Sequence, residues 1–178
     1  FKTKPYEHQL VALQRSYDKT NYGYFMEMGC GKSKVLIDNL AWLHVNKGLD
    51  TAIIIAPKGV YRNWQISEIP AHLPEDIEHE VYVWNPNPNK AEAQRLKAGI
   101  EERGKLRILL VNVEGFATQK VKKFVDLFVR GTPFLLAIDE STTIKNPRAK
   151  RTKALVALGK AASFRRILTG SPVTKSPM

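Results

Sequence analysis

The sequence has one cysteine, Cys30, in 178 residues. That excludes an internal disulfide and any cysteine-built metal cluster, and it fits a reducing, intracellular compartment, cytoplasmic or nucleoid-associated. Long hydrophobic runs are also missing. The longest apolar stretches, 52–57 and 134–138, are strand-sized, far below the roughly 20 residues a spanning helix needs, so no membrane span is expected. Residues 1–10 are polar and interrupted by Pro5, which is unlike a secretory leader. There is no internal repeat and no low-complexity tract. Acidic residues are scarce, 17 Asp and Glu against 28 Lys and Arg, which leaves a net charge of +11. A polyanionic partner is therefore favoured, nucleic acid first and an acidic membrane surface second. His8, His44, His72 and His79 have no metal-ligand spacing and read as structural or surface residues.

What is present is ordinary for a folded chain: 43% hydrophobic and 25% charged residues, in a length suited to one domain, 1–178. Apolar runs of strand length alternate with amphipathic stretches of helix length. This alternation predicts an α/β fold, a mostly parallel sheet with helices on both faces. Strands are expected near 23–26, 51–56, 80–84, 107–112, 134–138 and 165–169. Helices are expected near 6–19, 32–46, 60–72, 90–103, 117–130 and 148–161. Gly48, Gly104 and Gly131 stand where left-handed closing residues are wanted. Residues 85–89, with Pro86 and Pro88, form a loop.

Two segments carry chemistry. The first expected strand runs into Glu27-Met28-Gly29-Cys30-Gly31-Lys32-Ser33 and then an apolar helix. Gly29 and Gly31 allow backbone N–H groups to converge on phosphate oxygens, and the helix dipole adds to the attraction. Lys32 reaches the outer phosphates and the Ser33 hydroxyl suits Mg²⁺. Met26 stands where the strict phosphate-loop pattern has glycine, so this segment alone also fits an ordinary glycine turn before a helix. The second segment is Asp139-Glu140 at the end of an apolar strand. Adjacent carboxylates there suit metal binding and the activation of water, or the capping of a following helix.

Taken together, the segments resemble the first RecA-like domain of superfamily 2 helicases, in particular the Swi/Snf-like branch of DNA translocases. Lys4-Pro5-Tyr6-Glu7-His8-Gln9 resembles the leading Q-type motif, and the loop at 27–33 resembles motif I. Ala56-Pro57-Lys58-Gly59-Val60-Tyr61-Arg62-Asn63-Trp64 with Glu68-Ile69 resembles motif Ia, and Val111-Asn112-Val113-Glu114 occupies the place of motif Ib. Asp139-Glu140-Ser141-Thr142 with Ile144-Lys145-Asn146 resembles motif II, and Leu168-Thr169-Gly170-Ser171-Pro172 resembles motif III. The match runs from residue 4 to residue 172 in the family's order. The chain departs from the pattern at Met26, where this branch usually has Asp, at Thr142, where it usually has His, and at Gln9, which is three residues after Tyr6 rather than adjacent.

The resemblance implies an ATP-binding motor domain of a DNA-dependent ATPase. Tyr6 and Gln9 would contact adenine, and Gly29, Cys30, Gly31, Lys32 and Ser33 would cradle the phosphates. Ser33 and Asp139 would hold Mg²⁺, and Glu140 would act on water. Thr142, Thr169, Gly170 and Ser171 would couple hydrolysis to movement. The nucleic-acid track would lie on the loops of motifs Ia and Ib, at Lys58, Arg62 and Asn112, with double-stranded DNA as partner. Motifs IV to VI would lie in a second RecA-like domain of the same polypeptide, whose arginine completes hydrolysis, so residues 1–178 alone would be nearly inactive. Two other readings stay open: an RNA or single-strand helicase domain, and a nucleotide-regulated DNA clamp without turnover. Trp64 reads as a packed anchor rather than a base stacker. The basic clusters at Lys120, Lys122 and Lys123, at Arg148, Lys150, Arg151 and Lys153, and at Arg165-Arg166 read as solvated faces or further contacts.

Overall fold

A computed structural model describes residues 1–25, 31–139 and 150–169. The strands are β1 (Asn21–Phe25), β2 (Thr51–Ala56), β3 (His79–Val83), β4 (Leu106–Asn112), β5 (Leu135–Asp139) and β6 (Phe164–Thr169). They form one sheet in the order β1-β6-β5-β2-β4-β3, and every pair is parallel. Helices α1 (Glu7–Ser16), α2 (Lys32–Lys47), α3 (Tyr61–Asn63), α4 (Ile69–His72), α5 (Lys90–Glu101), α6 (Gln119–Val129) and α7 (Lys150–Ala161) cover it.

Right-handed crossovers assign the helices to faces. The chain steps one way across the sheet from β1 to β2 to β3 and returns the other way through β4, β5 and β6. The first two crossovers therefore lie on one face and the last three on the other. The core obeys this. Ala52, Ile54, Ala56, Leu135 and Ala137 join Val35, Leu36 and Leu40 of α2, with Trp64 and Ile69, in one apolar cluster. Their strand neighbours Ile53, Ile55, Leu136 and Ile138 join Leu96, Val125, Phe128 and Leu155 of α5, α6 and α7 in the other. Adjacent strands β5 and β2 thus send their chains to opposite faces, which opens a crevice at their carboxyl ends.

Two expectations need correction. The helix expected at 60–72 is interrupted by a π turn, Trp64–Glu68, between α3 and α4. Pro70 explains it: proline has no N–H, and its ring clashes with the carbonyl four residues back in a regular helix. The turn widens just before it, with the Ile69 N–H donating to the Trp64 carbonyl, five residues away. Arg166 is not part of a solvated face but is 1% exposed, as is Arg107. Arg107 donates to the Gly99 carbonyl at the end of α5, to the Phe128 carbonyl of α6 and to Thr51 Oγ1, at 2.8–2.9 Å. Burial lowers its pKa to about 10, still far above neutrality, so these bonds stay charge-assisted.

Candidate functional site

Strand register brings the motif ends to one edge. Phe25, the last residue of β1, pairs with Thr169 of β6, and Leu168 pairs with Asp139 at the end of β5. The phosphate-loop segment leaves from this edge and re-enters the described structure at Gly31, which caps α2 with φ +74°. That backbone favours glycine. A Cβ on Gly31 would also meet the amide nitrogen of the Gln9 side chain, which would have to shift to make room.

Gln9 is itself buried, and its Oε1 accepts the Tyr6 backbone N–H at 2.9 Å. The spacing that departs from the family pattern therefore has a local cause: Gln9 lies three positions after Tyr6, the residue preceding α1, and its side chain reaches back to it. The amide nitrogen is thereby turned toward Gly31. Tyr6 is 72% exposed, and its ring stacks on His8 at 5.9 Å.

The N-cap of α2, Gly31, has no side chain to cap it, and the first turn holds no acid, which suits this helix N-terminus to an anion. Lys32 and Ser33 lie half-buried in that turn. The nearby Lys34 is committed elsewhere: its Nζ donates to the Thr3 carbonyl at 2.7 Å and to Asp38 Oδ2 at 2.8 Å. Burial, opposed by Lys34, holds Asp38 above the ordinary carboxylate range. Strand alternation puts Asp139 on the α2 face, because Leu135 and Ala137 belong to that cluster. Asp139 is buried, and its Oδ2 accepts a hydrogen bond from Trp64 Nε1 at 3.0 Å.

The expected nucleic-acid residues divide. Ala56, at the end of β2, is in register with Asn112, at the end of β4. The two loops that follow are joined by the Lys58 N–H donating to Glu114 Oε1 at 3.2 Å. Exposed Lys58 and half-buried Asn112 thus belong to one neighbourhood. Arg62 is exposed but lines a groove with Gln65, Glu92 and Arg95 toward β3 and α5. Gly29, Cys30, Glu140, Thr142, Gly170 and Ser171 lie outside the described residues, and Thr169 is described only as the end of β6. What the sequence reading missed is the polar role of Trp64. Only Pro70, six residues on, hinted that this helix is irregular.

A glycine-capped helix with Lys-Ser in its first turn, facing a carboxylate two strands away in a parallel sheet, defines the class of P-loop nucleotide-binding domains. Residues 6–177 match the family model of the SNF2-related domain, and the chain belongs to that family. Among curated relatives, it is 28% identical over 158 residues to the probable ATP-dependent DNA helicase CHR12 of Arabidopsis thaliana, covering 84% of this chain and 13% of that protein. It is 26% identical over 174 residues to the ISWI chromatin-remodeling complex ATPase CHR11 of the same plant, covering 94% of this chain and 15% of the relative. The chain thus spans only a small part of these relatives.

Two solved structures share the fold. The Sulfolobus solfataricus SWI2/SNF2 ATPase core in complex with dsDNA superposes with a TM-score of 0.73 at 19% identity, over 98% of this chain and 34% of that one. The UvsW helicase from bacteriophage T4 gives 0.66 at 12% identity, over 95% and 53%. The fold is the RecA-like α/β architecture of the SWI2/SNF2 ATPase core. Among the described residues no helix is long and apolar enough to cross a membrane.

Proposed function

We propose that this chain is the ATP-binding motor domain of a Swi/Snf-like ATPase that works on double-stranded DNA. The observation that carries the reading is the convergence, on one face and one edge of the sheet, of the Gly31-capped start of α2 with the buried carboxylate of Asp139. Lys32 and the open N–H groups of α2 bind the phosphates. Gln9, packed on Gly31, and the exposed ring of Tyr6 bind the adenine side. Ser33 and Asp139 offer the hard oxygen donors that Mg²⁺ takes, and the carboxylate already has the supporting hydrogen bond that metal ligands need, so the residues fit the ion. Bound there with ATP, Mg²⁺ would neutralise charge on the phosphate oxygens. Glu140 orients the attacking water, and Thr142 with Thr169, Gly170 and Ser171 couples hydrolysis to movement.

Lys58 and Asn112, at the ends of β2 and β4, hold the nucleic-acid backbone, with Arg62 at the margin. A second RecA-like domain in the same polypeptide supplies the arginines that complete the reaction, so residues 1–178 bind ATP but turn it over near background.

Calorimetry tests this directly. Lys32→Ala is expected to weaken ATP binding at least tenfold, about 1.4 kcal/mol. Equal affinities, or robust DNA-stimulated hydrolysis by residues 1–178 alone, would overturn the reading. In competition, duplex DNA should displace RNA and single strands.

A further inference from the structure

We infer that Trp64 is a positioning residue for the nucleotide site, one whose indole N–H sets the orientation in which Asp139 receives the metal ion of Mg–ATP. The inference rests on the reading of Asp139 as a metal ligand given above and adds to it a residue from a distant part of the chain.

The contact joins side chains 75 residues apart at 3.0 Å. Trp64 is 1% exposed and Asp139 8%, so water competes little for the bond. An indole N–H only donates, and an ionised carboxylate only accepts, so the pair has one sense. The bond is charge-assisted and correspondingly strong. With Oδ2 engaged by a fixed donor, rotation about the Asp139 side chain is restricted, and the direction of the whole carboxylate is set.

The donor is fixed because its surroundings are. Trp64 is the first residue of the π turn, its own carbonyl accepts the Ile69 N–H, and Pro70 follows directly. Its ring packs in the apolar cluster with Ala56, Ala137 and the α2 side chains. Being buried, the ring offers no face for a nucleic-acid base to stack on.

Ligand-orienting partners of this kind typically alter metal affinity 10–100-fold when removed, and that is the effect to look for. ATP affinity is measured by calorimetry with and without Mg²⁺ for the wild type, Trp64→Phe and Asp139→Asn. A second Trp64 variant carries benzothienylalanine, which keeps the bicyclic shape and replaces the N–H by sulfur. Both Trp64 variants should bind Mg²⁺-free ATP like the wild type and lose roughly 10–100-fold of the gain that Mg²⁺ confers.

A proton–nitrogen correlation spectrum gives a readout independent of nucleotide affinity. The indole peak that Trp64→Phe removes should shift in Asp139→Asn, and shift again when Mg–ATP is added to the wild type. If both Trp64 variants keep the full Mg²⁺ gain, or the Trp64 indole peak ignores both perturbations, the residue only packs and the inference falls. If the wild type shows no Mg²⁺ gain, or Asp139→Asn retains it, the assignment of Asp139 as a ligand falls first and takes the inference with it. That outcome is distinguishable because it appears with Trp64 intact.

Discussion

Arg166 is almost fully buried, yet among the described residues its hydrogen-bond partners are neutral oxygens rather than carboxylates. Its donors go to Asn39 Oδ1 and the Arg165 carbonyl at 2.8 Å, to the Ser16 carbonyl at 2.9 Å and to the Thr20 carbonyl at 3.4 Å. Ser16 ends α1, so the cation meets the negative end of that helix dipole. Burial pushes its pKa down, but a guanidinium surrounded by acceptors stays protonated. Room for it comes from Ala137, its small register partner on β5. A leucine at 166 would remove the charged donor from the Ser16 carbonyl, which would keep only the Lys19 N–H at 2.9 Å, and a hydrogen bond to a charged group contributes about 1.5–3 kcal/mol. Arg166→Leu should therefore lower unfolding free energy by at least that amount in urea titrations, and unchanged stability would contradict the bonding described. In the sequence the Arg-Arg pair reads as surface because a window of neighbouring charges carries no information on strand parity. Arg165 turns to bond Asn21 at 2.9 Å and the Gly159 carbonyl, while Arg166 turns inward.

β3 is an edge strand, and α5 fastens it through Arg95, which donates to Glu80 Oε2 at 2.9 Å and to the Val81 carbonyl at 2.7 Å. Lys105 adds a contact to Glu80 at 3.8 Å. The hydrogen bond from Arg95 is the main reason the Glu80 carboxyl sits below its ordinary range. A carboxyl with a depressed folded pKa contributes stability above its unfolded pKa and loses it as pH falls through the folded value. Glu80→Gln should thus be less stable than the wild type at neutral pH by under about 1 kcal/mol, since the pair is partly exposed. The gap should close in acid, and urea midpoints along a pH series would reveal a gap that persists. The mixed run expected as a strand at 80–84 and the unbroken apolar runs at β2, β4 and β5 have one explanation. Central parallel strands bury both faces and read as unbroken apolar runs, whereas an edge strand reads as mixed. The same logic divides the site. The phosphate loop could be proposed from the sequence because glycine, lysine and serine chemistry is local in sequence. The Trp64–Asp139 bond could not, since it depends on a crossover and the parity of β5 together.

A net charge of +11 draws the molecule to polyanions, but charge alone does not say where they dock. Among the described residues, exposed lysines stand at two separate places. One is the edge where Lys58 follows β2 beside the loop after β4. The other is the groove between α6 and α7, where Lys122, Lys123 and Lys153 border an apolar floor that includes Phe116 and Leu158. Each phosphate neutralised releases counterions and contributes about −0.9 to the slope of log affinity against log salt. If duplex DNA runs along the first region, Lys58→Ala should flatten that slope by about 0.9, equally for unrelated sequences, since a backbone contact carries no base information. Lys122→Ala should leave it unchanged. Arg62 shares its groove with Glu92, so its removal should move the slope less than removal of Lys58. Fluorescence anisotropy with two duplexes of different sequence across a salt series measures all three variants. A slope that responds to Lys122 and not to Lys58 would place the track on the α6–α7 face. Affinity that survives molar salt or selects one sequence would rule out backbone reading, and preferential capture by anionic vesicles would assign the charge to a membrane surface instead.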